Sequence, residues 1–184
     1  MVDMSACAAY ICVYAPLSRT EDLAMRVDSP LSPEECNCFA LRAAARHVTQ
    51  FYDQVIAPTG LRTTQFSILA KLKRRGVLTI NALAEDMVVD RTTLGRNILP
   101  LERDELIRVV PAASDRRAKE LHLTKAGERR LEAARKRWSV AQGQFEASFG
   151  AKRAADLRAS LRAVVASETV ATTRSAAGKR RDHL

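Results

Sequence analysis

The chain is poor in aromatic residues, in glycine and in long apolar segments, and each shortage narrows its class. Aromatic residues make up 5% of the 184 positions, and only seven residues are glycine. With abundant Ala, Leu, Arg and Glu, this composition favours a mainly helical protein. The apolar run from Ala8 to Ala15 is too short to span a bilayer, and no basic segment precedes it. We therefore predict neither a membrane helix nor a secretory signal.

Cysteine and histidine are too scattered to form a recognisable site. Cys7-x4-Cys12, followed at a distance by Cys36-x-Cys38, is not a zinc-binding spacing. Without a secretory signal, we expect free thiols in a reducing cytoplasm. The three histidines, which have no Ser, Cys or carboxylate partner at motif spacing, are His47, His122 and His183. We therefore predict no metal, no cofactor and no catalytic activity.

Positive charge, in contrast, is abundant and concentrated. The net charge is +9 and the isoelectric point is about 9.9, which indicates a polyanionic partner. Residues 62–137 hold 18 Lys or Arg and 10 Asp or Glu, so this segment alone carries a net charge of +8. Because a generally basic surface does not need such a concentration, the partner's binding site is expected within this segment.

Inside it, residues 79–104 predict two short helices separated by a tight turn. Thr79 and Asp90 stand at the N-cap positions, where a side-chain oxygen can accept from an unpaired backbone N–H. The buried faces repeat every three or four residues, with Ile80, Leu83, Ala84 and Met87 in the first helix and Leu94, Ile98 and Leu101 in the second. The second stripe leaves Thr92, Arg96 and Arg103 on the opposite face. On its own, a solvated polar face explains this segment better than DNA binding does.

Two short strands after these helices favour DNA binding. Residues 106–110 and 119–123 alternate apolar and polar side chains and predict a β-hairpin. Its tip, residues 113–117, carries the adjacent Arg116 and Arg117, which could reach phosphates or a narrow minor groove. Two helices, a turn and a basic hairpin make a winged helix-turn-helix, whose second helix suits the DNA major groove.

Long helices are predicted on both sides of this motif. Ser32 is expected to cap the first, with Pro33 at the first helical position and Glu35 completing a capping box. This helix should end near Ala57, and Thr63 or Thr64 should cap the next one. One-sided apolar stripes predict that the flanking helices pair with each other and with a second chain. Such a two-fold dimer would read two half-sites about one turn of DNA apart.

The predicted fold class is therefore mainly α, a winged helix-turn-helix with long N- and C-terminal dimerisation helices and a two-stranded β wing. Five parts are expected: a poorly ordered extension at 1–30, an N-terminal dimerisation helix at 31–58, the winged helix-turn-helix lobe at 60–124, C-terminal dimerisation helices at 125–166 and a basic disordered tail at 167–184. Translation from Met25 is a hypothesis that would remove most of the extension.

These residues resemble the MarR family of transcriptional regulators from about position 36 to about position 166. The matching segments are Gly60-Leu61 to Gln65, Leu83-Ala84-Glu85, residues 90–96, Leu101-Glu102-Arg103, Asp115-Arg116-Arg117-Ala118 and Leu123-Thr124-Lys-Ala-Gly127. The resemblance implies a homodimer that binds a pseudo-palindromic operator, commonly as a repressor, and leaves it when a small aromatic acid or an oxidant arrives. It also implies that Asp115 holds the wing arginines through an ion pair, with Arg117 entering the minor groove.

Cys38 has two interpretations. From the residues alone it is either a small apolar filler or an oxidant-sensing thiol near a helix N-terminus. Cys38 with the following Phe-Ala-Leu resembles the organic-hydroperoxide-sensing branch of the family, and Tyr52 matches a tyrosine that contacts the sensing thiol from the other subunit there. Two further tyrosines of that branch are replaced here by Arg42 and Thr63.

We therefore expect a DNA-binding transcriptional regulator whose second motif helix makes the main contacts with DNA. Thr92, Thr93 and Arg96 are expected to face bases or phosphates in the major groove, while Arg91 and Arg103 bind the backbone. The alternative is an architectural or non-specific DNA-binding protein without an effector.

Two positions depart from the family pattern and carry conformational expectations. Glu105 stands where the family has glycine before Leu106, so we expect a positive φ there and a strain of about 1 kcal/mol. Pro100 cannot donate to the Arg96 carbonyl, so we expect a bend or a tightened turn near the end of the second motif helix.

Overall fold

Helices account for most of the described chain. A computed structural model describes residues 35–112 and 117–167; the described residues up to 44 belong to one compact unit and those from 45 onward to a second. Within these ranges the elements are Asn37–Ile56 (α1), a 3-10 turn at Ala57–Thr59, Thr63–Arg75 (α2), Leu78–Thr79 (β1), Ile80–Asp86 (α3), Arg91–Arg103 (α4), Ile107–Pro111 (β2), Lys119–Leu123 (β3), Lys125–Phe149 (α5) and Ala151–Ala166 (α6). The predicted mainly α class is confirmed. No helix of these ranges is long and apolar enough to cross a membrane.

The sheet has three strands, where the sequence predicted two. The strand order is β1-β3-β2, with antiparallel pairing throughout. In β1, Leu78 lies opposite Leu121 and Thr79 opposite Glu120, while Val109 of β2 pairs with Leu121 from the other side. A two-residue strand is too short to show an alternating pattern. It exists because β3 offers a second edge for pairing, which only the folded chain reveals.

A hydrophobic core in the second unit fixes α4 against its neighbours. Its fully buried members include Ile68, Leu69 and Leu72 of α2, Leu83 of α3, Leu94 and Leu101 of α4, Ile107 of β2 and Leu121 of β3. Each predicted stripe of α3 and α4 supplies its side chains to this core. Burying a side chain of this size stabilises the fold by about 1.5–3 kcal/mol relative to exposure, so the orientation of α4 is set by its apolar side.

The predicted start of the first helix is wrong. Cys36 is not helical and α1 begins at Asn37, with the Ala40 N–H donating to the Cys36 carbonyl at 3.0 Å; Ser32 and Pro33 lie outside the described residues. Of residues 35–44, only Ala43 is even half-buried. A capping motif is worth only about 1 kcal/mol and most helix stability comes from packing, so the local signals do not fix the helix start.

The expected cap of α2 is also wrong. Thr63 is the first residue of the helix, and its N–H donates to Asp53 Oδ1 of α1 at 2.6 Å. Gln65 Oε1 accepts from the Arg62 N–H at 2.9 Å. A carboxylate ten residues away in sequence therefore does what a hydroxyl at the helix start was expected to do.

The two helices of the helix-turn-helix, α3 and α4, each end in a turn of the same type. Val88 and Glu105 have φ values of +57° and +56°. At each turn two hydrogen bonds close the helix end: Val88 N–H to Glu85 O at 3.1 Å and Val89 N–H to Ala84 O at 3.0 Å, and Glu105 N–H to Glu102 O and Leu106 N–H to Leu101 O, both at 2.9 Å. This is the Schellman arrangement, which usually places glycine at the left-handed position. The positive φ expected of Glu105 is confirmed, and that of Val88 was not anticipated.

Thr124 joins the end of α4 to the start of α5. Its hydroxyl donates towards the Glu105 carbonyl at 2.7 Å and the Leu106 carbonyl at 3.1 Å, and accepts from the Gly127 N–H at 2.9 Å. Gly127 is buried against Leu106, and a Cβ at Gly127 would collide with the Leu106 carbonyl oxygen. Thr124 thus caps α5 and also forms a tertiary contact with the segment that follows α4.

Candidate DNA-binding surface

The outward face of α4 carries hydroxyl and guanidinium groups. Asp90 caps the helix by accepting from the Thr93 N–H at 2.8 Å, as predicted. Hydrogen bonds from Thr93 hold the pKa of the Asp90 carboxyl below its usual value, so the cap stays ionised at neutral pH. With the apolar side of α4 buried, Thr92, Arg96 and Arg103 are all exposed. The helix continues through Pro100 to Arg103, so the proline does not end it.

Asn97 and Arg103 of α4 form polar contacts within the protein. Asn97 Nδ2 donates to the Thr93 carbonyl at 2.8 Å. Arg103 Nε lies 3.0 Å from Asp104 Oδ1, in a pair whose arginine is 76% exposed. An exposed ion pair of this kind contributes about 0–1 kcal/mol, so little free energy is lost if Arg103 turns to a phosphate instead.

A basic cavity lies beside the start of α4. Arg91 of α4, and Arg117 and Lys119 of the wing, line the same hollow of about 220 Å³. Thr79, Ile80, Asn81 and Ala118 complete its lining. The structure thus brings together Arg91 and Arg117, which were predicted separately. It adds Asn81 of α3 and Lys119 of β3, which the sequence did not single out because their place beside Arg91 depends on the folded chain.

Ion pairs hold α3 in place behind this surface. Lys71 Nζ of α2 lies 2.9 Å from Asp86 Oδ2 of α3, and Arg75 Nη1 lies 3.9 Å from Asp86 Oδ1. The hydrogen bond from Lys71 holds the pKa of Asp86 below its usual value. Basic residues at the end of α2 are favoured by the helix dipole. Here they also form ion pairs that position α3.

The remaining candidate residues are Asp115, Arg116, Cys38 and Tyr52. Asp115 and Arg116 lie outside the described residues. Cys38 belongs to the first unit, where it is an exposed free thiol rather than a buried filler. Tyr52 is buried in the second unit, and its hydroxyl donates to Gln142 Oε1 at 2.8 Å. Burial raises the pKa of Tyr52, with Glu146 acting in the same direction and Arg158 opposing it, so the hydroxyl keeps its proton as a donor.

In α4 the apolar side is buried and the basic side is exposed, and a tight turn connects it to the preceding helix α3. A small sheet places further cations beside the basic side. These features define a winged helix-turn-helix DNA-binding protein. The model of the MarR family matches residues 61–119. The M. tuberculosis transcriptional regulator MosR is 36% identical, with a TM-score of 0.63, over 74% of this chain and 100% of that one. The chain belongs to the MarR family, whose members are transcriptional regulators rather than enzymes.

Other relatives are less similar. The transcriptional activatory protein BadR of Rhodopseudomonas palustris is 31% identical over 116 residues, which are 61% of this chain and 62% of BadR. This chain therefore spans less than two thirds of the length of BadR. The structure on the regulation of DNA binding of Bordetella bronchiseptica BpsR by 6-hydroxynicotinic acid shares the fold, with a TM-score of 0.68 at 20% identity, over 76% of this chain and 100% of that one.

Proposed function

We propose that this regulator is a homodimeric repressor that binds a pseudo-palindromic operator in a sequence-specific manner. The observation that carries the proposal is the exposed Thr92, Arg96 and Arg103 face of α4 next to the cavity of Arg91, Arg117 and Lys119. A helix of this kind fits the major groove, which presents a distinct pattern for each base pair. The cations at its edge are placed for the flanking phosphates.

Each candidate side chain then has a role. Thr92, Thr93 and Arg96 face bases or phosphates in the major groove, and Arg91 and Arg103 bind the backbone. For the wing, we retain the sequence-based proposal that Arg116 and Arg117 contact DNA and that Asp115 supports them. Lys119 joins Arg91 in holding a phosphate between the major groove and the wing.

The test is a comparison of binding to an operator, selected from randomised duplexes, with binding to a scrambled duplex at fixed salt. A specific regulator should prefer the operator by about 10³ or more, whereas an architectural protein should show little preference. Arg96→Ala should weaken operator binding by about 5- to 150-fold, the equivalent of 1–3 kcal/mol for a bidentate base contact, and scrambled binding much less.

Two control variants sharpen this experiment. Arg137→Ala removes the same charge from an exposed site on α5 and should leave the operator preference unchanged. Lys119→Gln should weaken both duplexes equally and reduce the slope of log affinity against log salt by about one, unlike Lys136→Gln on α5. Equal loss on both duplexes for Arg96→Ala would make Arg96 a phosphate contact instead.

Apolar side chains left exposed on α6 support the homodimer. Leu157, Leu161 and Val164 follow a four- and three-residue spacing and are 38–44% exposed, and Val165 beside them is 57% exposed. A groove of about 610 Å³ between α1 and α5 is lined by Val48, Phe51, Phe145 and Phe149 among others. A second copy covering these surfaces would bury them and space two α4 helices for two half-sites.

An aromatic acid is the proposed effector. The rings of Phe66 and Trp138 are stacked, with their centroids 5.9 Å apart. Both line a cavity of about 500 Å³ between α2 and α5. Arg74 and Arg135 lie at its rim and suit a carboxylate. Because Trp138 is the single tryptophan, titration with 6-hydroxynicotinic acid should change its fluorescence and release operator DNA. Arg135→Gln should weaken both responses together; release without any change in fluorescence would place the effector elsewhere.

Thiol oxidation at Cys38 is the second proposed route of release. It is favoured by the exposure of that thiol. Operator footprinting with and without an organic hydroperoxide, on the natural chain and on Cys38→Ser, separates the two routes. A footprint that disappears on oxidation only when Cys38 is present supports sensing, whereas an unchanged footprint in both proteins removes the redox route.

A further inference from the structure

The exposed face of α4 contains one large apolar side chain, Leu99. It is 63% exposed, the largest exposed fraction among the large hydrophobic residues of the described chain. The others lie on α1, α5 and α6 or in the turns at Val77 and Val88. A second copy is proposed to cover the long helices, but none of the residues that the structure describes covers Leu99 on the outward side of α4. Leu99 therefore needs a separate explanation.

Leu99 lies on the same exposed side of α4 as Thr92, Arg96 and Arg103, at one edge of the arc that they form. At about 100° per residue, and taking Thr92 as zero, Arg96 lies near 40°, Leu99 near −20° and Arg103 near 20°. These four side chains thus occupy an arc of about 60°. The buried Leu94, Ile98 and Leu101 lie near 180–240° on the same scale. Along the helix axis Leu99 lies between Arg96 and Arg103, in the stripe that is proposed to meet DNA.

Only one group on the major-groove edges suits such a neighbour. Base edges there present hydrogen-bond donors and acceptors, with the C5-methyl of thymine as the apolar exception. A phosphate gains nothing from a leucine and a sugar is the same at every base pair, whereas burial against a thymine methyl removes apolar surface of both partners from water and depends on the sequence. We infer that Leu99 is a specificity-determining residue that selects thymine in each operator half-site by contact with its methyl group.

The helix geometry also fixes where that thymine stands. This step rests on the proposed function, because it requires α4 to lie in the major groove of a specific operator. Leu99 is three residues after Arg96, about 4.5 Å further along the helix axis at 1.5 Å per residue. Successive base pairs are about 3.4 Å apart. The thymine should therefore lie one or two base pairs from the base that Arg96 contacts.

The test replaces thymidine by deoxyuridine, one position at a time, in an operator selected from randomised duplexes. This change removes the C5-methyl and leaves the hydrogen-bonding groups in place. At the position read by Leu99, uracil should weaken the natural chain by about three- to fivefold, the effect of one lost buried methyl. Leu99→Ala should bind the two duplexes equally, because the side chain that contacts the methyl is gone. Leu99→Met, which replaces the branched side chain by an unbranched apolar one of similar size, should retain the methyl dependence.

The controls make each outcome decisive. Val77→Ala truncates an exposed apolar residue outside α4 and should keep the methyl dependence of the natural chain. Equal melting temperatures of the natural chain and Leu99→Ala show that the fold is unchanged. If the natural chain prefers its operator but no thymine position depends on Leu99, the inference is overturned while the proposed function stands. If the natural chain shows no preference for the operator, both are overturned.

Discussion

Val88 and Glu105 hold backbone conformations that side chains with a Cβ rarely adopt. Each closes a helix of the helix-turn-helix, and each is kept there by two hydrogen bonds and a buried apolar neighbour, such as Leu106 beside Leu101. A left-handed conformation costs a residue with a Cβ about 1–2 kcal/mol. The core packing of α4 outweighs that cost, so the turn is set by tertiary structure and not by the residue that occupies it.

Glu105→Gly should therefore stabilise the protein. Glycine has no Cβ and takes a φ of +56° without strain, although its freedom in the unfolded chain offsets part of the gain. We expect the free energy of unfolding in urea to rise by up to about 1 kcal/mol. Asp104→Gly is the matched control, since Asp104 has a φ of −85° and should gain nothing. Equal effects of the two changes would show that Glu105 is not strained.

Residues that act on their neighbours in sequence were predicted well. Thr79 and Asp90 cap α3 and α4 as expected, because a capping oxygen bonds an N–H only three residues away. Asp53, which caps α2, was missed because its partner is ten residues distant in sequence. Lys119 and Leu99 were missed for the same reason: their roles depend on which surfaces meet or stay open after folding.

At the scale of elements, the start of α5 is joined to the segment between α4 and β2 by hydrogen bonds and close packing. Thr124 and Gly127 reach the backbone of Glu105 and Leu106, where α4 gives way to β2. The segment Leu123 to Gly127, which contributed to the family resemblance, thus packs the start of α5 against the segment after α4. Strand β1 shows the limit of pattern reading, since its two residues pair only because β3 has a free edge beside them.

Gly127→Ala should disrupt this junction. A Cβ there meets the Leu106 carbonyl oxygen and the Leu123 side chain, so the backbone of β2 or α5 must shift. We expect unfolding to become easier by about 1–3 kcal/mol, as for an overpacked core. Gly143→Ala in the same helix has open space around the new methyl and should instead stabilise by about 0.5–1 kcal/mol. Two changes of the same sign would indicate that the junction has relaxed.

At the scale of the whole molecule, the exposed apolar side chains of α6 are the main support for the proposed dimer. The apolar stripe of α6 was read from the sequence, yet those side chains remain exposed in the single chain, unlike those of α4. A stripe predicts only that a face becomes buried, and cannot say whether the covering surface belongs to the same chain. The second copy is therefore a proposal that the sequence pattern and the exposed surface support together.

Leu161→Glu should separate the proposed dimer into monomers in sedimentation experiments, because a carboxylate would be buried without a partner. Ala159→Glu adds the same charge on the opposite side of α6, about 160° away from Leu161, and should remain dimeric. Operator affinity should fall only for Leu161→Glu, since the monomer contacts one half-site. A protein that is monomeric before mutation would contradict the homodimer.

The length of α5 gives the Thr124 junction a mechanical consequence. The helix has 25 residues, so it is a lever of about 37 Å at 1.5 Å per residue. A rotation of about 5° around its C-terminal end moves Thr124, and with it the end of α4, by about 3 Å. That displacement nearly equals the 3.4 Å rise between base pairs. With α4 in the major groove as proposed, a tilt of α5 by about 5° would therefore shift α4 by about one base pair along the operator.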